Sequence, residues 1–355
     1  MVGRRGLVLG LVALAATAFA RERDRAVGRA VYAERCASCH GPTGRPPSDR
    51  HGLPDFTDCH ESTGASADWE GLVRDGGPFL GMSREMPGFR GTLSDDEIAD
   101  VVSYIQSLCP DPRYPPADLN FADPLFVSNA FPEDENILTT SYEPRRHERE
   151  WRTELTLQKR IGARGQAGVI VPVGLEDPEA GPTRAGVGDV RLTYRHAFWV
   201  EQRWHSLAAA GVELDAPTGN RHHGIGDGTF VGAADLFSGH GIGPIVVQTN
   251  VRAELPADTD RAPRQMRYRT ALQYPLGPYA RDPVPGIEFE QTHALASGAH
   301  TTTLLAPTFI VPLSRRGHVA LGAGVQVPVA GTRVFDARAA LELYWVYAQG
   351  PLWAW

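Results

Sequence analysis

The residues with the clearest chemistry are two cysteines and a histidine in the run Cys36-Ala37-Ser38-Cys39-His40. A C-x-x-C-H run is typical of covalent haem attachment. Two thiols three positions apart lie on adjacent turns of a helix, so both can reach the vinyl groups of one haem. His40 then supplies an axial nitrogen to the iron. The run therefore predicts one covalently bound haem c.

Two other kinds of site also contain C-x-x-C. A structural zinc site needs four ligands, and the sequence has no second C-x-x-C or H-x-x-x-H run to complete one. A thioredoxin-like redox pair opens a helix that follows a strand, whereas Val27, Ala30, Val31 and Glu34 are spaced as on a helix leading into Cys36. Haem attachment is the interpretation that fits this context.

A second iron ligand is expected from the run that contains Met82 and Met86. A thioether on a loop suits a haem of raised potential. Pro87 fixes the backbone directly after Met86 and leaves that sulfur on a stiff turn, so we predict Met86 as the ligand and Met82 as its competitor. The alternative is that both are ordinary packing methionines, which is the commoner role of Met.

The chain begins with a pattern typical of a secretory signal peptide over residues 1–20. Arg4 and Arg5 precede an apolar core that is too short to span a membrane, and Ala18-Phe19-Ala20 forms the cleavage site. Export to an oxidising compartment permits a disulfide between the two remaining cysteines, Cys59 and Cys109. The alternative is a pair of buried thiols.

The elements around the haem run read as helices. One is expected over 24–35 and a short one over 69–74. Ser94 and Glu97 form a capping box at the start of the last helix, which carries an apolar stripe and stops at Pro110.

These residues together resemble the class I mono-haem cytochromes c. The matching residues are Gly28, Tyr32, the run from Cys36 to Gly41, Met86-Pro87-Gly88-Phe89, and the stretch from Leu93 to Leu108. The resemblance covers 24–109 and implies three main helices wrapped round the haem, with Gly28 and Tyr32 packed on the last helix near Tyr104. It implies His40 and Met86 as the axial ligands of the iron. The pair Cys59 and Cys109 departs from simpler members.

Residues 21–110 are thus assigned to a cytochrome c domain, and 111–148 to a proline-rich linker. The linker contains Phe121, Leu125, Phe126 and Phe131, which is too apolar for a disordered tether. We expect an extended segment that packs on the cytochrome or on the mouth of the second domain. An ordinary flexible linker is the alternative.

Over 149–355 the apolar period changes to two, as in Met266-Arg267-Tyr268-Arg269-Thr270. Strands of about ten residues with one apolar and one polar face are typical of a transmembrane β-barrel with a wet lumen. An even strand number is needed for closure, so we predict an antiparallel barrel of twelve strands, with ten as the alternative. Five aromatic residues are candidates for a membrane girdle: Trp199, Trp204, Tyr344, Trp345 and Trp353. A secreted β-sandwich would also alternate.

The second domain also resembles outer-membrane barrels of the phenol-degradation (meta-pathway) family. The resemblance lies in Gly188-Asp189-Val190-Arg191-Leu192, in the run from Glu213 to Gly219 and in the glycine-rich 224–228. It implies a barrel fold and no secure chemistry.

The sequence therefore predicts an all-α cytochrome c domain followed by an outer-membrane barrel. A folded domain of this size is about 30 Å across, too wide for a twelve-stranded lumen, so we expect it beneath the periplasmic mouth. The predicted function is electron transfer rather than enzymatic catalysis. Solute transport, with the cytochrome as cap or sensor, and a peroxidase-like haem enzyme are the alternatives.

The charge of the chain bears on its partners. The net charge is −7 without a basic run, which makes nucleic acid an unsuitable partner. The first domain has more acidic than basic residues, so a basic periplasmic redox protein is the expected partner, beside the lipid of the outer membrane. The sequence leaves the oligomeric state open.

Overall fold

The structure is a computed structural model that describes residues 23–49, 52–60, 64–145, 148–179, 181–221, 225–295, 300–333 and 335–347. The expected signal peptide and the aromatic residue Trp353 lie outside these ranges. No helix within the described ranges is long and apolar enough to span a membrane.

The first domain is helical. Its helices are α1 (Arg25–Arg35), α2 (Ala37–His40), α3 (Ser66–Asp75) and α4 (Asp95–Gln106), with a 3-10 turn at Gly77–Leu80. Asp24 caps α1 by accepting hydrogen bonds from the backbone N–H groups of Ala26 and Val27. The predicted capping box is confirmed, because Ser94 and Glu97 bond each other's backbone N–H at the start of α4.

Helices α1 and α4 cross at Gly28. A Cβ atom on that residue would lie 2.1 Å from the carbonyl oxygen of Asp100, so no larger side chain fits at this crossing. The ring of Tyr32 lies 5.4 Å from that of Tyr104. The packing of Gly28 and Tyr32 on the last helix is therefore confirmed.

The second domain is a closed antiparallel sheet. Its strands are β1 (Glu135–Arg145), β2 (Glu148–Ile161), β3 (Gly165–Pro178), β4 (Arg184–Val187), β5 (Val190–Glu201), β6 (Ser206–Ala216), β7 (Val231–Ile242), β8 (Ile245–Pro256), β9 (Gln265–Gln273), β10 (Val284–Ala294), β11 (Thr301–Pro312), β12 (Val319–Gly331) and β13 (Arg338–Val346). Strands β4 and β5 pair with successive parts of β3 and so occupy one position in the sheet. Pairing of β1 with β13 closes a barrel of twelve positions. The predicted fold class, with its twelve strands, is confirmed.

The two faces of the barrel differ as the alternation predicted. On β11, Leu304 and Ile310 are buried inside, whereas Leu305 and Phe309 are exposed outside. Polar side chains such as Gln248 on β8 face the interior. Trp204 is exposed, as a girdle residue would be. The prediction that Tyr344 belongs to the girdle is wrong, because this residue is buried in an interior cluster with Val284, Ile310 and Ala320.

The barrel starts earlier than the sequence indicated. Strand β1 begins at Glu135, inside the stretch 111–148 that was assigned to the linker, so the expected boundary at residue 149 is wrong. The polar run Thr139-Thr140-Ser141 and Pro144 hide the apolar alternation of this strand. The connecting segment therefore ends at Asp134.

That connecting segment enters the barrel. We call residues 117–134 the plug. Leu119 and Phe131 form a buried cluster with Leu207 and Phe237 of the wall, and the methyl groups of Leu125 approach Gly324 of β12. The apolar side chains of the linker are thus accounted for by packing inside the lumen, not by a flexible tether.

Candidate haem site

The thiols of the C-x-x-C-H run lie at the junction of α1 and α2. Cys36 is the residue between the two helices and is buried, while Cys39 is half-buried on α2. Neither is part of a disulfide. Burial raises the pKa of the free Cys36 thiol to about 11.

His40 is held by two neighbouring side chains, Phe56 and Tyr32. Its ring stacks on Phe56 with 4.8 Å between centroids, and the hydroxyl of Tyr32 donates to the carbonyl oxygens of His40 and Gly41 at 3.3 and 2.7 Å. Burial lowers the pKa of His40, which keeps the imidazole neutral, the form that binds iron. Its Nδ1 is buried without a hydrogen-bond partner in the described structure.

Met86 lies on the loop between α3 and α4. Its carbonyl oxygen accepts a 3.0 Å hydrogen bond from Gly77 N–H, and its side chain packs against the same core cluster that contains Cys36 and Phe56. Met82 is 37% exposed. The structure thus places His40, through Phe56, and Met86 against one core, while Met82 faces solvent.

The donor set fits a covalently held haem. The two cysteines are outside any disulfide, a neutral imidazole follows them directly, and a thioether lies on the same core. A structural zinc site would need four ligands, and the run supplies only Cys36, Cys39 and His40. Cys36 and Cys39 would form the thioethers, and His40 and Met86 would ligate the iron.

The other two cysteines form a disulfide. Cys59, which precedes α3, is joined to Cys109, which follows α4, across a sequence separation of 50. Closing a loop of that length in the unfolded chain stabilises the fold by about 4 kcal/mol in the chain-entropy view. The bond ties the long loop after His40 to the end of the last helix.

The helical domain is docked on two turns of the barrel. Arg281 donates to the carbonyl oxygen of Phe79 at 2.9 Å, and its guanidinium lies 4.0 Å from the centre of that ring. Arg315 donates to the carbonyl oxygen of Pro78 at 2.8 Å. The turns are residues 274–283 and 313–318, at the end of the barrel where β1 begins and β13 ends.

The lumen above the plug is a cavity of about 670 Å³. Arginine and carboxylate side chains of the wall alternate along it; Arg252, for example, binds both Glu213 at 2.8 Å and Asp235 at 2.9 Å. This lumen can hold water and a small polar solute, but it has no room for a folded domain.

Sequence reasoning missed the wall residues that hold the plug. Both carboxylate oxygens of Glu288 accept 2.7 Å hydrogen bonds from the backbone N–H groups of Leu125 and Phe126. The side-chain amides of Gln248 and Gln273 donate to the carbonyl oxygen of Ala122 at 2.8 and 3.1 Å. Their sequence signal is a polar side chain at an inward position, which many other residues of the lumen share.

Comparison with known protein families identifies the type of the first domain. Residues 23–105 match the family described as cytochrome C oxidase, cbb3-type, subunit III. The first domain is a cytochrome c domain. A domain of this type implies haem, and the matched stretch contains all four residues of the donor set.

The part that follows the cytochrome c domain has structural neighbours. An outer membrane channel from Pseudomonas putida F1 is 16% identical, with a TM-score of 0.51, and the match covers 64% of this chain and 100% of that one. The β domain of a Bordetella autotransporter (13% identity, TM-score 0.42, 61% and 100% covered) and the outer membrane phospholipase A of Escherichia coli (14%, 0.37, 64% and 95%) are more distant. The first likeness shows a shared barrel fold. No curated protein matches the chain in sequence.

Proposed function

We propose that the protein transfers electrons through one covalently attached haem c, with the barrel anchoring the cytochrome c domain at the outer membrane. The observation that carries this is the placement of the C-x-x-C-H run and Met86 against one buried core. When bound, haem supplies reversible one-electron chemistry between ferric and ferrous iron. The chain is then an electron carrier and not an enzyme.

The protein's own groups perform the supporting roles. Cys36 and Cys39 would hold the group covalently, and His40 and Met86 would both bind its iron, which would leave no open position for a substrate. Phe56 fixes the plane of the His40 ring. The Tyr32 hydroxyl fixes the backbone that follows the second cysteine.

The outer face of the barrel supports residence in the outer membrane. Large apolar side chains at its surface are half exposed, among them Leu192, Phe198, Leu236, Ile287 and Leu341. A water-soluble protein rarely exposes so extended an apolar surface, and lipid would cover it. The resemblance to the phenol-degradation family adds only a fold, and we propose no chemistry from it.

We place the cytochrome on the periplasmic side. It binds the end of the barrel at which the first strand, β1, begins and the last strand, β13, ends. Bacterial barrels have short periplasmic turns, and three of the five connections at this end, 162–164, 202–205 and 243–244, have two to four residues. The proposed redox partner is a basic periplasmic protein, attracted by the acidic cytochrome.

Solute transport is the second candidate, favoured by the charged cavity of about 670 Å³ in the lumen. The plug opposes it, since it packs against the wall with backbone hydrogen bonds to Glu288. Transport would require the plug to move.

Redox titration of the purified full-length protein tests the proposal. We expect a reversible one-electron change in the visible spectrum and no binding of carbon monoxide by the reduced protein, because His40 and Met86 would both bind the iron. Rapid carbon monoxide binding together with peroxide turnover would contradict the carrier function and favour an enzyme with an open sixth position.

A further inference from the structure

Three carboxylates converge where the plug meets the first strand of the barrel. Asp123 belongs to the plug, Glu133 to its end and Glu135 to the start of β1, and one oxygen of each lies within 4.8 Å of the others. The three residues are only 9, 7 and 1% exposed. Carboxylates held this close and away from water repel one another unless a proton or a cation lies between them.

The protein supplies too little positive charge for this cluster. Arg195 reaches Glu135 at 3.5 Å, but its shorter hydrogen bonds go to the carbonyl oxygen of Asn129 at 2.8 Å and to Gln166 at 2.6 Å. Arg160 lies over the rings of Tyr114 and Phe131. Its Nε and Nη2 have no hydrogen-bond partner among the described residues, although its charge attracts the Glu133 carboxylate. Two guanidinium groups, those of Arg195 and Arg160, therefore face three carboxylates.

Oxygen atoms without a partner lie at the same place. Oδ1 of Asn129 and Oε2 of Glu135 are buried and accept no hydrogen bond from any described residue, and Asn129 is 3% exposed. The Asn129 side chain contacts Asp123 through Nδ2, so Oδ1, which is bonded to the same carbon, lies beside the carboxylates. A buried amide oxygen needs a hydrogen-bond donor or a cation, and ionised carboxylates have no proton to donate.

We propose that these residues bind a calcium ion. Calcium takes six to eight oxygen ligands in flexible geometry, from carboxylates, amide oxygens, backbone carbonyls and water. Asp123, Glu133, Glu135 and Asn129 offer carboxylate and amide oxygens only, without nitrogen or sulfur, which suits a hard cation. Magnesium demands near-ideal octahedral geometry and retains its water, which suits this buried site less well.

The ion would join the plug to the wall. Asp123 and Asn129 lie on the plug, and Glu135 lies on β1, which pairs with both β2 and β13. Calcium would therefore hold the plug in the lumen and neutralise the charge that its insertion buries. This inference does not depend on electron transfer by the cytochrome.

The test uses the full-length protein in detergent, treated with EDTA and desalted. Calcium binding is followed by titration calorimetry and by the shift of the unfolding temperature, with magnesium as a parallel titration. Asp123→Asn and Glu135→Gln each remove one charge at nearly constant volume. Glu154→Gln is the control, a carboxylate of the same lumen that pairs with Arg191 outside the cluster.

We expect one calcium per chain in the wild type and in Glu154→Gln, with a rise in the unfolding temperature. Asp123→Asn and Glu135→Gln should weaken calcium binding by about tenfold or more, because affinity depends on ligand charge. In EDTA these two variants should unfold at or above the wild-type temperature, since repulsion is relieved, which separates loss of the site from failure to fold.

A wild type that binds no calcium at millimolar concentration would overturn the proposal in favour of protonated carboxyls. Calcium binding that is unchanged in Asp123→Asn and Glu135→Gln would also overturn the proposal. It would show that the calcium binds elsewhere, for example to residual lipopolysaccharide. An equal response to magnesium would overturn the assignment to calcium.

Discussion

Met86 is the residue on which the redox behaviour should depend most. Replacing it with alanine removes the proposed sulfur ligand, so the weak near-infrared band of a Met-ligated ferric haem should disappear and the reduction potential should fall. Spectra and redox titration of the variant measure both changes. Met82→Ala is the matched control, because Met82 is a solvent-facing methionine on the same loop. Loss of the band in the Met82 variant instead would assign the ligand to the wrong methionine.

Gly28 is required by the crossing of α1 and α4. An alanine methyl group would lie 2.1 Å from the Asp100 carbonyl oxygen, so the helices would have to separate. We expect Gly28→Ala to lower the free energy of unfolding of the cytochrome domain by about 1–3 kcal/mol, although alanine is the better helix former. Denaturant unfolding monitored through haem absorbance measures this, with exposed Arg29→Ala on the same helix as control. An unchanged or raised stability would contradict the close crossing.

Most residues of the candidate haem site could be proposed from the sequence, because covalent attachment would need donors that are neighbours in the chain. Cys36, Cys39 and His40 are consecutive on one motif, and Pro87 marks Met86. What the sequence did not show is Phe56, which stacks on His40 from 16 positions away. Contacts between distant segments leave no local pattern to read.

At the level of elements, the sequence predicts the strands that alternate regularly and the capped helix α4. It does not predict that the barrel begins at Glu135. In a membrane barrel, apolar residues that face lipid alternate with polar residues that face the lumen, and this period of two predicts strands. Strands β8 and β9 show the alternation clearly. Strand β1 could not be predicted, because the consecutive residues Thr139, Thr140 and Ser141 make both of its faces polar. The plug could not be predicted, because an extended segment inside a lumen shows no regular alternation of apolar and polar residues.

Glu288 should decide whether the plug stays in place. Both of its carboxylate oxygens accept backbone hydrogen bonds from the plug, and Glu288→Leu leaves those two N–H groups unpaired in a buried place, which costs about 1–3 kcal/mol each. We expect higher conductance in planar bilayers than the wild type shows. Glu154→Gln, which lies in the lumen away from the plug hydrogen bonds, should leave the conductance near the wild-type value.

Equal conductance of the Glu288 variant and the wild type would mean that the plug is held without this residue. An open wild-type channel would contradict the plugged lumen itself and favour solute transport.

For the molecule as a whole, docking of the cytochrome on the barrel should depend on pH through Asp68. Ala280 N–H of the barrel turn bonds this carboxyl at 3.2 and 3.4 Å. Burial raises the pKa of Asp68 from 3.8 to about 6; the hydrogen bond from Ala280 and the charge of Arg281 oppose the rise, and Asp282 and Asp118 add to it. Undocking exposes this carboxyl to water and removes its burial against the turn, so the docked state binds more protons than the undocked state as the pH falls through 6. Docking should strengthen as pH falls from 7 towards 4 and weaken as pH rises through 6.

Hydrogen exchange of the turn at 274–283, corrected for the intrinsic effect of pH, measures this docking. Protection should be greater at pH 5 than at pH 7.5 in the wild type. Asp68→Asn should remove the difference, whereas Asp96→Asn on the exposed start of α4 should keep it. A pH dependence that survives in Asp68→Asn would assign the effect to another group.

The joining of a haem domain and a membrane barrel in one chain is the central claim, and membrane fractionation with haem staining tests it most directly. The account predicts a single band of full-length mass in the outer-membrane fraction that stains for haem after denaturation, and no staining in the variant Cys36→Ser/Cys39→Ser. Haem staining confined to the soluble fraction, or an outer-membrane band without haem, would contradict the account.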